Sequence, residues 1–340
     1  MNEKNLVPPG LSYLADNIKR RDNILGVSKE EGAKWAEGLN LLKEGVTFFF
    51  AGCGYQFESK LESLMGIIRK MDKSTIGTGG ALKLAGLQKK IGLDGVFLKM
   101  VGRNRNRDGQ PLRDAIKVLR HLDINPGYLA EEEPCCGGLL YYMGEKSEFD
   151  RHSREVHTRF RSRGVREIIS MVPSCTYTLR ILMKEAGNNQ DLKVRHFCEV
   201  LAERITDLRL RFPKQVKITY HDPCQLVRYL GLVEEPRKIL RAIKNIELVE
   251  PVWTCGEWAT CCGGGGGFEA VFPEISEMLA KNRVKELLET GASIIVTHCP
   301  GCIMQLEAGL KALKIENVQV YDLASMVAMS LEGESADVRI

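Results

Sequence analysis

The stretch Cys261-Cys-Gly-Gly-Gly-Gly-Gly267 lies at the centre of a regular cysteine pattern. Cys224 lies 37 residues before its first cysteine (261 − 224), and Cys299 lies 37 residues after its second (299 − 262). Cys299 opens the motif Cys299-Pro-Gly-Cys302, so this unit contains five motif cysteines. Apolar, strand-like runs precede the outer two motifs, at residues 216–220 and 293–297. We therefore expect these cysteines at the ends of β-strands.

The first half of the chain repeats this pattern with one cysteine fewer. Cys53 follows the strand-like run at residues 46–50, and Cys135-Cys-Gly-Gly138 matches the later cysteine pair. Cys175 lies 39 residues after the second cysteine of that pair (175 − 136), against 40 in the later unit (302 − 262). Val172 stands where the later unit has a cysteine. The chain is therefore a tandem repeat.

The repeats predict both the fold class and the domain boundaries. Strand-like runs alternate with helical stretches in both halves, which favours α/β units with parallel sheets. We expect two pseudo-symmetric, Rossmann-like repeats with cysteines at the strand ends, where such sheets bind their ligands. The predicted segments are an N-terminal arm (1–40), a first repeat (41–212) with an insert at about 58–110, a second repeat (213–332) and a tail (333–340).

Composition excludes several classes of protein. The chain has 340 residues, of which 44% are hydrophobic and 27% charged, values typical of a folded globular protein. Its formal charge of +4 (48 − 44) is too small to indicate a nucleic-acid partner. No apolar stretch reaches the ~18–20 residues of a membrane span, and the first ten residues lack the apolar core of a signal peptide. We therefore expect a cytoplasmic protein.

The eleven cysteines favour metal binding over disulfide bonds. An odd number, in a chain expected in a reducing compartment, argues against a disulfide framework. Thiolates bind iron–sulfur clusters, zinc or copper(I). Five thiolates favour an opened or extended iron–sulfur assembly, or a cubane with a spare ligand, whereas four complete a cubane or a zinc site. The candidate ligands are Cys224, Cys261, Cys262, Cys299 and Cys302 in the second repeat, and Cys53, Cys135, Cys136 and Cys175 in the first.

Other residues near the motifs receive narrower interpretations. Cys198 lies in an apolar stretch and is expected to be a buried hydrophobic side chain. Cys255 is not expected to be a metal ligand. His221 and Asp222 could orient Cys224 or relay a proton, or they could form hydrogen bonds at the strand end. The five glycines at 263–267 would let the backbone approach a cluster closely. They lack the Gly-Lys-Ser/Thr ending of a phosphate-binding loop.

The positive charge of the chain is concentrated in the predicted insert. Residues 73–107 hold eight Lys and Arg and one acidic residue, a local charge of +7 (8 − 1). This charge predicts docking to an acidic partner or to an anionic membrane surface, and a solvated helical face is the alternative.

The motifs resemble the cysteine-rich CCG domain found in the B and D subunits of heterodisulfide reductase. Related iron–sulfur subunits of glycolate, lactate and glycerol-phosphate oxidation share that domain. The resemblance extends over residues 10–330 and implies that a motif with all five cysteines holds a noncubane [4Fe-4S] cluster, and that paired clusters cleave a disulfide. The segments that carry it are Tyr220-His-Asp-Pro-Cys224, Cys261-Cys-Gly263, Cys299-Pro-Gly-Cys302, Gly52-Cys53 and Glu133-Pro-Cys-Cys-Gly137.

The resemblance implies unequal roles for the two repeats. The second repeat would bind the noncubane cluster, whereas Val172 departs from the family pattern, so the first repeat would bind a four-cysteine [4Fe-4S] cluster or zinc. Many relatives begin with a ferredoxin module, but no cysteine precedes Cys53 here. We therefore expect electrons to come from a ferredoxin-like or flavoprotein subunit.

The expected function is that of an iron–sulfur oxidoreductase or electron-transfer subunit in a heterodisulfide-reductase-like complex. We expect the complex to be cytoplasmic or peripheral to the cytoplasmic membrane, where the basic insert would contact a membrane subunit. The alternatives are the catalytic subunit of a thiol–disulfide reductase and a zinc-binding scaffold without redox activity.

Overall fold

Each repeat forms its own four-stranded sheet, and all strand pairs within the two sheets are parallel. The strand order is β2-β1-β3-β4 in the first sheet and β6-β5-β7-β8 in the second, so the two topologies are the same. The strands are β1 Thr47–Phe50, β2 Gly127–Tyr128, β3 Glu167–Ser170, β4 Lys193–His196, β5 Arg211–Tyr220, β6 Lys244–Leu248, β7 Ile294–Thr297 and β8 Gln319–Asp322.

Helices connect the strands, because parallel neighbours require crossover connections. The α-helices are α1 Pro9–Arg21, α2 Lys29–Ala33, α3 Gly52–Gln56, α4 Gln110–His121, α5 Gly138–Tyr142, α6 Lys146–Ser162, α7 Pro173–Tyr177, α8 Met183–Glu185, α9 Phe197–Arg204, α10 Glu234–Arg241, α11 Phe268–Val271, α12 Pro273–Leu288, α13 Pro300–Ala312 and α14 Leu323–Met329. The predicted α/β fold with two parallel repeats is confirmed.

The computed structural model describes residues 9–64, 109–188 and 191–332. The basic segment 73–107 and the tail 333–340 lie outside the described residues. Strand β5 begins two residues before the predicted start of the second repeat. Within the described ranges, no helix has the length and apolar character needed to cross a bilayer.

The central strands are buried because helices cover both faces of each sheet. Phe48, Phe49 and Phe50 of β1 are buried, as is every residue of β7. The side chains of both repeats contribute to one continuous hydrophobic core. The repeats therefore pack as partners, with the carboxyl ends of both sheets carrying the cysteine motifs.

The strand ends show that Val172 and Cys299 occupy equivalent positions. Each is the N-cap residue of the helix that follows its strand, α7 for Val172 and α13 for Cys299, and each lies two residues beyond the strand. Proline opens both helices, at the position where its missing N–H is tolerated. Cys175 and Cys302 likewise lie five residues beyond β3 and β7 (175 − 170 and 302 − 297).

The N-terminal arm packs on the first repeat. Asp22 Oδ1 accepts a hydrogen bond from the Cys135 N–H at 2.9 Å, and Lys29 Nζ donates to the Glu133 carbonyl at 3.1 Å. The arm also reaches the second repeat, since Leu11 lies against Gly267. It therefore contacts the cysteine-bearing loops of both repeats.

Candidate metal centres

The four candidate ligands of the first repeat converge at the carboxyl edge of its sheet. Cys53 lies on α3 after β1, and Cys175 lies on α7 after β3. Cys135 is in hydrogen-bonding contact with Cys136 and Cys53, and Cys136 is in contact with Cys175. All four side chains are buried. The predicted residues are therefore brought together in one site.

The five candidate ligands of the second repeat converge in the same way. Cys262 Sγ lies 3.3 Å from Cys302 Sγ, and each of the two contacts a further cysteine, Cys261 and Cys299 respectively. Cys224 is close enough for the charges of Cys299 and Cys262 to raise the pKa of its thiol, after burial, which is the larger cause. Cys262 and Cys302 are buried, whereas Cys261 is exposed.

In both sites the second cysteine of the pair is the one most readily ionised. Hydrogen bonds from Cys135 and Cys175 lower the pKa of Cys136 well below its usual range. Hydrogen bonds from Cys261 and Cys302 lower the pKa of Cys262 in the same way. Because metals bind the thiolate form, both clusters of sulfur atoms have the chemistry of metal-ligand sets.

The glycine after each cysteine pair is required by the backbone. Gly137 and Gly263 have φ values of +77° and +87°, in the left-handed region that favours glycine. A Cβ at either position would lie within 2.5 Å of a neighbouring atom. Their N–H groups donate to the first cysteine of each pair, at 3.5 Å to Cys135 Sγ and 3.3 Å to Cys261 Sγ. The turn therefore aims backbone N–H groups at the sulfurs.

The side chain of Val172 lies against Gly52, the residue before Cys53. A Cβ added at Gly52 would lie 2.9 Å from Val172 Cγ2 and 3.2 Å from Cys175 Sγ. The valine side chain is 5% exposed. Val172 and Cys175 thus both approach Gly52, and Val172 occupies the position where the second repeat has Cys299.

A buried carboxylate holds the Cys53 turn of the first site. Glu133 accepts hydrogen bonds at 2.9 Å from the N–H groups of Ala51 and Gly52, and at 2.8 Å from Gln56 Nε2. Burial raises the pKa of Glu133 to about 8, although the two backbone hydrogen bonds oppose the shift. The loop that carries the cysteine pair is thereby tied to the end of β1.

In the second site the carboxylate lies after the strand, and it accepts a hydrogen bond from the loop that leads to the cysteine pair. Asp222, at the end of β5, accepts a hydrogen bond from the Gly256 N–H at 2.8 Å in the loop before the cysteine pair. Its two oxygens also pair with Arg237 at 2.8 and 2.9 Å. Asp222 thus forms strand-end hydrogen bonds, one of the two roles considered for it.

The two sites meet at a seam between the repeats. A Cβ at Gly54, next to Cys53, would lie 2.6 Å from Pro300 Cγ in the second repeat's Cys-Pro-Gly-Cys turn. Nearby, the Tyr55 hydroxyl donates to Asp322 Oδ2 at 2.5 Å, and Asp322 Oδ1 lies 2.9 Å from His298 Nδ1. All three of these side chains are buried. A fixed polar bridge therefore connects the two cysteine-bearing turns.

The remaining cysteines lie outside the two converging sets. Cys198 is fully buried, and burial raises the pKa of its thiol, as expected for a hydrophobic side chain. It lies near His196 and His298, but the Cys198 N–H donates to His196 Nδ1 as part of a helix cap. The lone pair of that nitrogen is therefore already occupied. Cys255 is half-buried before a short 3₁₀ turn.

A family model described as the cysteine-rich domain CCG matches residues 101–180 and 218–307. The chain belongs to the CCG cysteine-rich domain family. The two matched segments contain every candidate ligand except Cys53, and they correspond to the two repeats seen in the structure. The predicted resemblance is confirmed.

Two curated relatives of this CCG protein carry iron–sulfur or heterodisulfide reductase names. It is 33% identical over 63% of its length to the D subunit of dihydromethanophenazine:CoB--CoM heterodisulfide reductase from Methanosarcina barkeri, covering 54% of that protein. It is 30% identical over 74% of its length to the probable iron-sulfur-binding oxidoreductase FadF from Bacillus subtilis, covering 36% of it. The chain thus spans about half, or less, of the length of these relatives.

A solved structure supports the fold alone. A hypothetical protein from Helicobacter pylori superposes with a TM-score of 0.51 at 13% identity, covering 66% of this chain and 46% of that chain. Identity this low carries no information about function.

Proposed function

We propose that this CCG protein is an iron–sulfur oxidoreductase subunit of a heterodisulfide-reductase-like complex, with its redox centre in the second repeat. The observation that carries the proposal is the convergence of five thiols at one sheet edge, with the Cys262 and Cys302 sulfurs 3.3 Å apart. The proposed ligands of a noncubane [4Fe-4S] cluster are Cys224, Cys261, Cys262, Cys299 and Cys302.

The residues around the second site suit such a cluster. Thiolate sulfurs are the ligands that iron–sulfur clusters take. The Gly263 N–H is aimed at the sulfurs, and a ring nitrogen of the buried His221 lies within 4.8 Å of the sulfurs of Cys262 and Cys302. When bound, the cluster would accept and release single electrons. The protein's own residues would hold the sulfurs in place and exclude water from Cys262 and Cys302.

We propose that the first repeat holds a four-cysteine [4Fe-4S] cluster or zinc through Cys53, Cys135, Cys136 and Cys175. Four buried thiols fill the coordination of either group. Val172 supplies no fifth sulfur, so this site would relay electrons or stabilise the fold.

An exposed aromatic surface beside the second site supports a protein partner. Trp253 and Trp258 are 84% and 81% exposed, and they lie just before the exposed Cys261 in sequence. Buried Arg283 donates to the Thr254 carbonyl at 2.9 Å, so the loop backbone is fixed while the indoles face solvent. Rigid exposed tryptophans are typical anchors of protein interfaces. We propose that a ferredoxin-like or flavoprotein electron-transfer subunit covers this surface.

A further part of the proposal concerns a segment that lies outside the described residues. The basic segment 73–107 would contact a membrane subunit of the complex or an anionic membrane surface, which would make a cytoplasmic complex peripheral to the membrane. Charge reversal of Lys89, Lys90, Arg103 and Arg105 should abolish this association at low salt, where exposed charges are least screened. Unchanged association would contradict it.

A second candidate function is disulfide reduction by the same subunit. The contact between Gly54 and Pro300 favours it, because the two sites then lie side by side. Reduction would add two electrons and two protons to a disulfide and release two thiols. The test is the reduction of a heterodisulfide by the complex with reduced viologen as the electron donor. Only this candidate function predicts that the rate of reduction depends on the cysteines of both sites.

Metal analysis tests the main proposal. Anaerobically purified protein should contain iron and acid-labile sulfide, with visible absorption near ~400 nm that dithionite bleaches. Stoichiometric zinc with no iron or sulfide would favour the non-redox scaffold instead.

A further inference from the structure

His221 lies at the end of β5, and a buried arginine fixes its tautomer. Arg283 Nε donates a hydrogen bond to His221 Nδ1 at 3.0 Å. The two side chains are 1% and 0% exposed, and a guanidinium offers hydrogen-bond donors but no acceptor. Nδ1 must therefore present its lone pair to Arg283, so the ring proton of neutral His221 is on Nε2.

The nitrogen of His221 that Arg283 leaves available, Nε2, is the one that can act on the sulfurs of the second site. A ring nitrogen of His221 and the sulfurs of Cys262 and Cys302 all lie within 4.8 Å of one another. By distance and angle the buried His221 Nε2 makes no hydrogen bond to a described residue, but the interaction of His221 with Cys262 helps to lower the pKa of that thiol. A buried donor without an acceptor destabilises the fold, because nothing compensates for its lost contact with water. A thiolate or cluster sulfur at this place would supply the missing acceptor.

We infer that His221 is a hydrogen-bond donor to the thiolates of the second site and is not a metal ligand. A ring nitrogen that carries a proton has no lone pair for a metal, which excludes the ligand role that its position alone would suggest. The inference rests on the proposed iron–sulfur function. Hydrogen bonds to sulfur raise a cluster's reduction potential, because they stabilise the negative charge that reduction adds.

The first site has no such donor among the described residues. Ala51 occupies the position after β1 that His221 occupies after β5. The imidazole of His152, on α6, contacts the cysteine loop, but its Nε2 lies 2.8 Å from the Cys135 carbonyl oxygen. His221 is therefore a positioning residue specific to the second site.

The test compares His221→Phe with His221→Gln in the full-length, cluster-loaded chain. Glutamine offers a carbonyl oxygen to Arg283 and N–H groups to the sulfurs, whereas phenylalanine offers neither. Redox titration followed by electron paramagnetic resonance should show a more negative potential in the phenylalanine variant and a value near wild type in the glutamine variant. His152→Phe, the control, should leave the potential of the second site unchanged.

Nitrogen hyperfine coupling in histidine-labelled wild-type protein decides between donor and ligand. Weak coupling is expected, and the strong coupling of a directly bound nitrogen would overturn the inference. An unshifted potential in an iron-replete phenylalanine variant would also overturn it. If the phenylalanine variant fails to fold, the potential of the glutamine variant and the strength of the nitrogen coupling test the inference instead. Wild-type protein without iron and sulfide would overturn the proposed function itself, and this inference with it.

Discussion

The two cysteine sites lie on sheets of the same strand order but differ in what surrounds their sulfurs. The first site has four buried thiols, with the side chain of Val172 against Gly52. The second has five thiols, of which Cys261 is exposed, and a buried imidazole beside them. The two repeats thus share the same strand order. They differ at one position, where the first repeat has Val172 and the second has Cys299, and this difference changes the number of converging thiols from five to four. Sites with unequal ligand sets are expected to have unequal chemistry.

The largest expected effect separates the sites by loss of metal. Cys262→Ala should remove most of the iron and sulfide of the second site. Cys262 contacts two other thiols, and their hydrogen bonds lower its pKa, which favours the thiolate form that binds metal. Cys136→Ala should remove the metal of the first site and leave the second spectrum in place. Iron, sulfide and zinc analysis of both variants checks this. Full retention in Cys262→Ala would contradict the assignment.

A reciprocal exchange should convert each site toward the other. Val172→Cys adds a fifth thiol to the first site, and Cys299→Val removes the fifth thiol from the second site. Mössbauer spectroscopy of the iron-57 protein should show the second-site signature weaken in Cys299→Val and a similar signature gained in Val172→Cys. Spectra identical to wild type in both variants would mean that the residue at this position does not distinguish the sites.

The polar bridge formed by Tyr55, Asp322 and His298 between the repeats should contribute to the stability of the fold and not to the number of thiols in either site. Asp322→Ala leaves the Tyr55 hydroxyl, His298 Nδ1 and the Ala324 N–H without their buried acceptor, at a cost of about 2–4 kcal/mol. Calorimetry should show a thermal midpoint lower by several degrees. The control Asp207→Ala removes an exposed carboxylate and should change stability by no more than about 0.5 kcal/mol. Equal midpoints would show that the bridge is not a stabilising contact.

Much of the framework could be predicted because it is local in the sequence. Apolar runs before the cysteines predict strands β1, β5 and β7, and the spacing of the motifs predicts the repeat. Strand β2 was missed because it has only two residues, and β6 because its side chains are polar and half-exposed. Short edge strands carry little periodic signal.

The supporting residues of the sites could not be predicted, because their partners are distant in sequence. Arg283 lies 62 residues from His221, and Asp322 lies 267 residues from Tyr55. No spacing rule connects such pairs, and only the packing of α12 on its sheet and of one repeat on the other brings them together. The sequence placed His221 near the motif but left its role open, and the tautomer fixed by Arg283 decides how it can act.

The most direct test of unequal sites is iron-57 Mössbauer spectroscopy of the anaerobically purified wild-type chain, together with zinc and sulfide analysis. The account predicts an iron–sulfur signature that Cys262→Ala abolishes and Cys136→Ala leaves, with the first site contributing either a different iron signature or zinc. Two indistinguishable iron sites, or zinc at both with no sulfide, would contradict it.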